Sequence, residues 1–131
     1  MSETPNNLKF TESHEWVQVL DDGTAVVGIT DYAQTLLGEL VYVGLPDTGD
    51  VIDREDDCAV VESVKAASDV YCPVSGQIID VNEGLIDDPG LVNTSPFDKG
   101  WLFKIQIDKP AQLDDLLDAS KYQKLVADEA H

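Results

Sequence analysis

Lys65 is the residue whose type and setting most invite chemistry. It stands in the stretch VVESVKAASDVYCP, residues 60–73, with Val64 on one side and Ala66 on the other, in a chain that has only 8 basic side chains. Strand-like arms at 58–63 and 67–72 flank it, so it should sit at or near a hairpin tip with its amine projecting into water. An exposed lysine amine is protonated at neutral pH and a poor nucleophile there, which argues against a Schiff-base catalyst. On a rigid tip it can instead accept an acyl group from another enzyme, and a lysine so modified becomes a long swinging arm. The small neighbours Ser63, Ala66, Ala67 and Ser68 leave room for a modifying enzyme. The alternative reading is a gatekeeper charge that keeps an apolar hairpin from pairing edge to edge.

The rest of the inventory is thin for autonomous catalysis. There is one internal histidine, His14, and no GxSxG, glycine-rich phosphate loop, HExxH or EF-hand series. The paired acids Asp21-Asp22, Asp56-Asp57, Asp87-Asp88 and Asp114-Asp115 read as solvated turn or surface residues in so acidic a chain. Cys58, Cys72, His14 and the terminal His131 are too few and too scattered for a structural zinc site. The cysteines flank Lys65 symmetrically. If the hairpin is centred on Lys65 they face each other across two strands, within bridging range; if the turn is centred between Val64 and Lys65, the pairing slips and they do not. Free thiols are expected in a reducing compartment.

Charge and length narrow the class further. The 131 residues suffice for one domain, with 43% hydrophobic residues to build its core. Acids outnumber bases 26 to 8, a net charge of −18. Such a surface repels nucleic acid and anionic membranes and favours partners with basic faces, although solubility alone would also explain it. No apolar run is long enough to span a membrane. The amino-terminal MSETPNNLKF lacks the features of a secretory or transit peptide, so the expectation is a complete, bacterial, cytoplasmic protein.

The elements that must position Lys65 are mostly strands. HEWVQVL (14–20), the turn Asp21-Asp22-Gly23 and TAVVGI form a hairpin. Thr30 is a fitting helix N-cap, DYAQTLL makes two turns, and Gly38 stands at C′. ELVYVGL (39–45), Val51-Ile52, DDCAVVES (56–63), ASDVYCPV after Lys65 and QIIDVN (77–82) read as strands, and 83–100 as loop. In WLFKIQI (101–107), Trp101, Phe103, Ile105 and Ile107 should share one face. Pro110 suits a helix start, and Leu113, Leu116, Leu117, Leu125 and Val126 suit short amphipathic helices. TGDVI (48–52) and VSGQII (74–79) echo each other on either side of Lys65, hinting at two similar halves folded about it. The predicted class is mostly β, a barrel or sandwich, with a short early helix and C-terminal helices.

Five motifs in order then tie the chain to a known family. HEWV (14–17), GITDYAQTLLGELVYVGLP (28–46), VESVKAASDVYCPVSG (61–76), the spaced VN…L…P…LVN…P of 81–96, and GW (100–101) resemble the H proteins of the glycine cleavage system over nearly the whole length. Phe10 stands where a tyrosine is common, and Cys58 and Cys72 are not hallmarks. Biotin carriers resemble Met-Lys-Met at the tip, and the lipoyl domains of 2-oxoacid dehydrogenases often Asp-Lys-Ala, where this chain has Val-Lys-Ala. The resemblance implies a lipoyl-domain-like barrel-sandwich hybrid, one lipoyl-carrier domain over 1–131 with a core of about 24–107 and a helical tail of about 110–128.

The resemblance also implies a non-catalytic carrier. Lys65 would be amide-linked to lipoic acid and no metal would be needed. The arm would take the aminomethyl group of glycine from the P protein (glycine decarboxylase) to the T protein (aminomethyltransferase), and electrons to the L protein (dihydrolipoamide dehydrogenase). A cleft would shelter the loaded arm, with Ser13, Glu15 and Asp69 the matching candidates to line it. Glu62, near the acceptor, would serve recognition by the lipoylating enzyme. A monomer is expected. The same residues would equally serve a lipoyl relay in lipoate metabolism.

Overall fold

In a computed structural model, residues 7–129 are described; most of the amino-terminal stretch read above for a leader, and His131, lie outside them. Among the described residues, nine strands form two antiparallel sheets. They are β1 (Lys9–Phe10), β2 (Glu15–Val19), β3 (Thr24–Ile29), β4 (Leu40–Gly44), β5 (Val51–Ile52), β6 (Asp57–Ser63), β7 (Ala67–Tyr71), β8 (Gly76–Val81) and β9 (Phe103–Ile107). The larger sheet runs β1-β2-β3-β9-β8-β5 and the smaller β4-β6-β7. Helix α1 (Asp31–Leu37) lies between β3 and β4, α2 (Gly84–Asp87) and α3 (Leu91–Thr94) precede β9, and a 3-10 helix (Pro110–Asp115) and α4 (Ala119–Glu129) end the chain.

The main core lies where the inner faces of the sheets meet. Period-two alternation puts Val17, Ala25, Val27, Ile78, Phe103 and Ile105 of the large sheet against Leu40, Val43, Val61 and Val70 of the small one. Neither sheet closes on itself, so the mostly-β, sandwich-like class holds. The two echoing segments are neighbours: Val51 pairs with Gln77 and Ile52 with Gly76. They brace the base from which the β6–β7 hairpin rises.

A second cluster of Leu8, Phe10, Trp16, Ala119 and Tyr122 forms on the other face of the large sheet, under α4. Phe10 stacks on Tyr122 with ring centroids 4.6 Å apart. Trp16 pairs across the strands with Gly28, and its ring lies where a side chain at Gly28 would begin. A Cβ there would sit 2.6 Å from two ring carbons.

Local signals were legible where side chains speak to their own backbone. Thr30 caps α1 by accepting from the Ala33 amide at 3.2 Å, and Gly38 ends it at φ 84. Three segments differ from the sequence-based expectation. Trp101 does not join the inner face of Phe103 and Ile105; the strand starts at Phe103 and Trp101 packs on the second cluster. Residues 83–100, expected as loop, contain α2 and α3, each too short to show a helical period. The stretch after Pro110 is a 3-10 helix, whose last residues lead Leu117 into a bridge with Phe10.

Gly28→Ala should therefore destabilise the protein by about 1–3 kcal/mol, the usual cost of forcing atoms into a packed contact. A urea midpoint unchanged from the parent would show that the Trp16 ring gives way without cost.

Candidate functional site

Lys65 sits at the tip of the β6–β7 hairpin. Glu62 pairs with Ala67, Val61 with Ser68 and Val60 with Asp69, so the turn is centred between Val64 and Lys65. Ser63 clamps it. Its amide donates to the Ala66 carbonyl at 2.8 Å, and its hydroxyl accepts from the amides of Lys65 at 3.3 Å and Ala66 at 3.1 Å. The lysine is exposed, but its stem is not alone in water as expected. It lies over Gly38, where a Cβ would be 3.5 Å from the lysine Cε and 4.0 Å from Nζ. Glycine meets two demands there, the positive φ of the helix end and the room for the lysine stem.

That platform is held from below by Asn93. Its side chain accepts from the Leu40 amide at 2.9 Å and donates to the Gly38 carbonyl at 2.9 Å and to Gln34 at 2.8 Å. Glu62 is half-buried on β6, between Tyr42 of β4 and Ala67 of β7.

Strand β7 links the tip to a cavity. Val70 points into the core, so Ala67, Asp69 and Tyr71 share the opposite face. Tyr71, Thr11, Ser13 and Glu15 line a cavity of about 580 Å³, with Cys72 in its wall. The Arg54–Asp115 ion pair, 2.7 Å, closes another side. The structure thus brings Ser13 and Glu15 together. Asp69 is not among the lining residues; it stands on the exposed face of β7 between the tip and Tyr71.

Glu15 is the chemical centre of the cavity. It is only 2% exposed. Its Oε1 accepts from the hydroxyls of Thr11 at 2.5 Å and Ser13 at 2.6 Å, and its Oε2 from the Tyr71 amide at 3.4 Å. Burial nevertheless pushes its carboxyl above the ordinary range, because these donors, Ser13 first, offset the lost hydration only in part.

A backbone reversal makes this packing possible. His14 has φ 72, a left-handed conformation that directs it away from its neighbour Glu15. The His14 ring meets the Tyr122 hydroxyl at 2.9 Å and the Glu129 carboxylate at 3.1 Å, both on α4. Tyr122 also bonds Thr30 at 2.6 Å, and burial holds its phenol up at about 12. One loop therefore sends Glu15 to the cavity and His14 to the terminal helix.

The cysteines follow the second of the two geometries foreseen for them, in which they are not paired across the strands. The register is the slipped one, which by itself separates them. A bulge at Cys58, between the Asp57–Tyr71 and Ala59–Val70 pairs, shifts the pairing one residue further, and the Cys72 amide donates to the Asp56 carbonyl at 2.9 Å. Each thiol donates instead to a backbone carbonyl, Cys58 to Val70 at 3.4 Å and Cys72 to Val74 at 3.1 Å. Both are free.

Thr11, Gly38, Asn93 and the Tyr71 amide had no place in the sequence-based site. The alternation of Thr11, Ser13 and Glu15 was a usable signal for the first of these; the others act through backbone groups or across long separations. Among the described residues there is no group of three or more metal-ligating side chains, and no helix is long and apolar enough to cross a membrane.

The raised carboxyl of Glu15 makes a signed prediction. The folded state holds this proton more tightly than the unfolded state does. Its contribution to stability is therefore full below about 4.5 and is lost as pH rises through the folded-state value. The unfolding free energy of the parent minus that of Glu15→Gln should fall with rising pH in urea titrations from about pH 4 to pH 8. A difference that stays level would mean that the donors fully offset the burial.

Comparison with known proteins agrees with this architecture. The sequence model described as "Glycine cleavage H-protein" matches residues 8–129. The chain is 54% identical over 129 residues to the glycine cleavage system H protein of Cronobacter sakazakii, covering 98% of this chain and 100% of that one. It is 55% identical over 129 residues to its counterpart from Aeromonas salmonicida, with the same coverage. The crystal structure of a glycine cleavage system H protein from Mycobacterium marinum superposes with a TM-score of 0.87 at 38% identity, covering 94% of this chain and 98% of that one. With a family match spanning nearly all of its length, the chain belongs to the glycine cleavage H-protein family.

Proposed function

We propose that this chain is the lipoyl carrier of a glycine cleavage system, a single domain without bond-making chemistry of its own, with Lys65 as the attachment point. The observation that carries the reading is spatial. An exposed lysine on a clamped turn shares one strand with a cavity that ends in a buried carboxylate. From Ala67 to Tyr71 that strand covers about 13 Å, a span suited to a lysine extended by an acyl chain. Lipoic acid, amide-linked to the Lys65 amine, supplies a cyclic disulfide that takes up an aminomethyl group and, once opened to the dithiol, carries two electrons.

The chain's own residues then hold, shelter and present. Lys65 presents the arm in turn to the P, T and L proteins, and before that to a lipoylating enzyme for which Glu62, flanking the acceptor, is a recognition residue. Tethering gives each partner a high local concentration of the arm. Glu15, with Ser13 and Thr11 fixing its oxygens, receives a cationic amine at the end of the cavity. A cation there offsets the cost of the buried charge, so that cost favours the loaded state over the empty one. The walls of the cavity exclude water from a group prone to hydrolysis. Asp69 offers a carboxylate midway along β7. The net charge of −18 steers the carrier toward basic faces on its partners. The bacterial relatives support a bacterial, cytoplasmic setting.

Intact mass after expression with lipoate and its attaching enzymes tests the attachment: one lipoyl group is expected on the parent and none on Lys65→Arg. A parent that stays bare while a known carrier is fully modified would return Lys65 to a gatekeeper role. In Glu15→Gln, lipoylation should be unchanged, but the aminomethyl group should be lost about tenfold faster or more, since charge-assisted hydrogen bonds contribute about 1.5–3 kcal/mol. Equal decay would remove Glu15 from the holding role.

A further inference from the structure

The loop that delivers Glu15 has an uncommon backbone. His14 has φ 72, a left-handed conformation that a residue with a Cβ adopts only at a cost. The loop around it is closed on itself. The His14 amide donates to the Thr11 carbonyl at 3.2 Å, the Thr11 amide to the Glu15 carbonyl at 3.0 Å, and the Thr30 amide to the His14 carbonyl at 3.0 Å. What holds the reversal from outside is the imidazole. Its Nδ1 lies 2.9 Å from the Tyr122 hydroxyl and its Nε2 3.1 Å from the Glu129 carboxylate, both on α4, and the Tyr32 ring of α1 packs on it with centroids 5.0 Å apart.

These contacts form one directed chain. An ionised carboxylate only accepts, so the neutral His14 ring carries its proton on Nε2 for Glu129 and leaves Nδ1 to accept from the Tyr122 hydroxyl. Tyr122 has then spent its one proton, and its 2.6 Å contact with Thr30 is a donation from the threonine hydroxyl. The Thr30 oxygen still accepts from the Ala33 amide, which caps α1. Each hydroxyl or ring proton from Thr30 to Glu129 therefore has one acceptor. The stack of Phe10 on Tyr122 fixes the hydroxyl at the centre of the chain.

We propose that His14 is a positioning residue for Glu15: gripped by Tyr122 and Glu129, it holds the left-handed turn that aims the neighbouring carboxylate into the cavity. Helix α4, none of whose residues lines the cavity, thereby sets the place of the acid inside it. The bonds of the ring offset the cost of the backbone. Without them the turn relaxes toward negative φ, and since the two residues are consecutive, Glu15 swings away from Thr11, Ser13 and the Tyr71 amide toward water. The use of this positioning rests on the reading of Glu15 as the holder of a cationic cargo; its geometry does not.

The experiment compares His14→Ala with His14→Gly in the full-length, unmodified protein. Both lose the ring, but only alanine keeps the cost of a positive φ. The Tyr71 amide donates to Glu15 Oε2, so its NMR shift reports the ionisation of Glu15, and isotope labelling of tyrosine leaves only four backbone amides to follow. Tyr71→Phe identifies the signal, and Glu15→Gln shows which titration belongs to the carboxyl. In the parent that titration should lie above the ordinary carboxylate range, because burial raises it. In His14→Ala it should fall toward that range; in His14→Gly it should not fall. Loss of the imidazole charge alone moves both variants upward, the opposite sign. The double variant Tyr122→Phe with Glu129→Gln keeps the histidine and the stack on Phe10, and should fall as His14→Ala does; it carries the test if alanine does not fold. A double variant that titrates like the parent, or equal shifts in His14→Ala and His14→Gly, would overturn the proposal. Because the amide is read without arm or cargo, the result stands apart from whether Lys65 accepts lipoate and Glu15 holds the loaded group.

Discussion

A carboxylate taken out of water and held by three donors organises this site. Glu15 gains hydrogen bonds from Thr11, Ser13 and the Tyr71 amide, yet burial still outweighs them and its proton is held too tightly. Much of the surrounding structure serves that arrangement. The left-handed turn at His14 lets consecutive residues face opposite ways. The stacked Phe10 and Tyr122 fix α4 over the far side of the same loop. The Tyr71 amide ties the base of the hairpin to the carboxylate, so that the strand carrying the lysine and the loop carrying the acid cannot move independently without breaking a hydrogen bond.

The two sheets explain why the lysine and the acid can be so far apart in sequence and still share a surface. Packing the three-stranded sheet on the six-stranded one buries Val61 and Val70 and leaves Ala67, Asp69 and Tyr71 outward. The inward residues stabilise by area removed from water; the outward ones are released for function. Gly28 and Gly38 mark the places where this economy of space is tightest, one under an indole and one under the lysine stem.

Much of this was legible in the sequence, for definable reasons. The hairpin around Lys65, the Thr30 cap and the Gly38 stop are written in side chains that act on adjacent backbone. Ser13 and Glu15 came from likeness to a family, and spacing alone would have left them as surface residues. What escaped has a physical basis too. Four-residue helices have no measurable period, a 3-10 helix looks like a loop start after Pro110, and Trp101 continues an alternation whose strand has not yet begun. The bulge at Cys58 is the most instructive case. Pairing rules correctly separated the two registers, but one inserted residue shifts every pair beyond it without changing the turn, and no residue type announces it.

The clamp made by Ser63 has a consequence for the volume that the tip can search. A lysine carried on a long, loose loop would wander with the loop, and its reach would be the sum of two uncertain lengths. Here the backbone between Ser63 and Ala66 is pinned by three hydrogen bonds, so the hinge is a point and only the side chain beyond Cα contributes slack. The accessible space is then a shell of fixed centre, and occupancy within it falls steeply as the radius grows. Lengthening the turn would enlarge that shell and dilute whatever the lysine holds at its far end, even with every other contact intact.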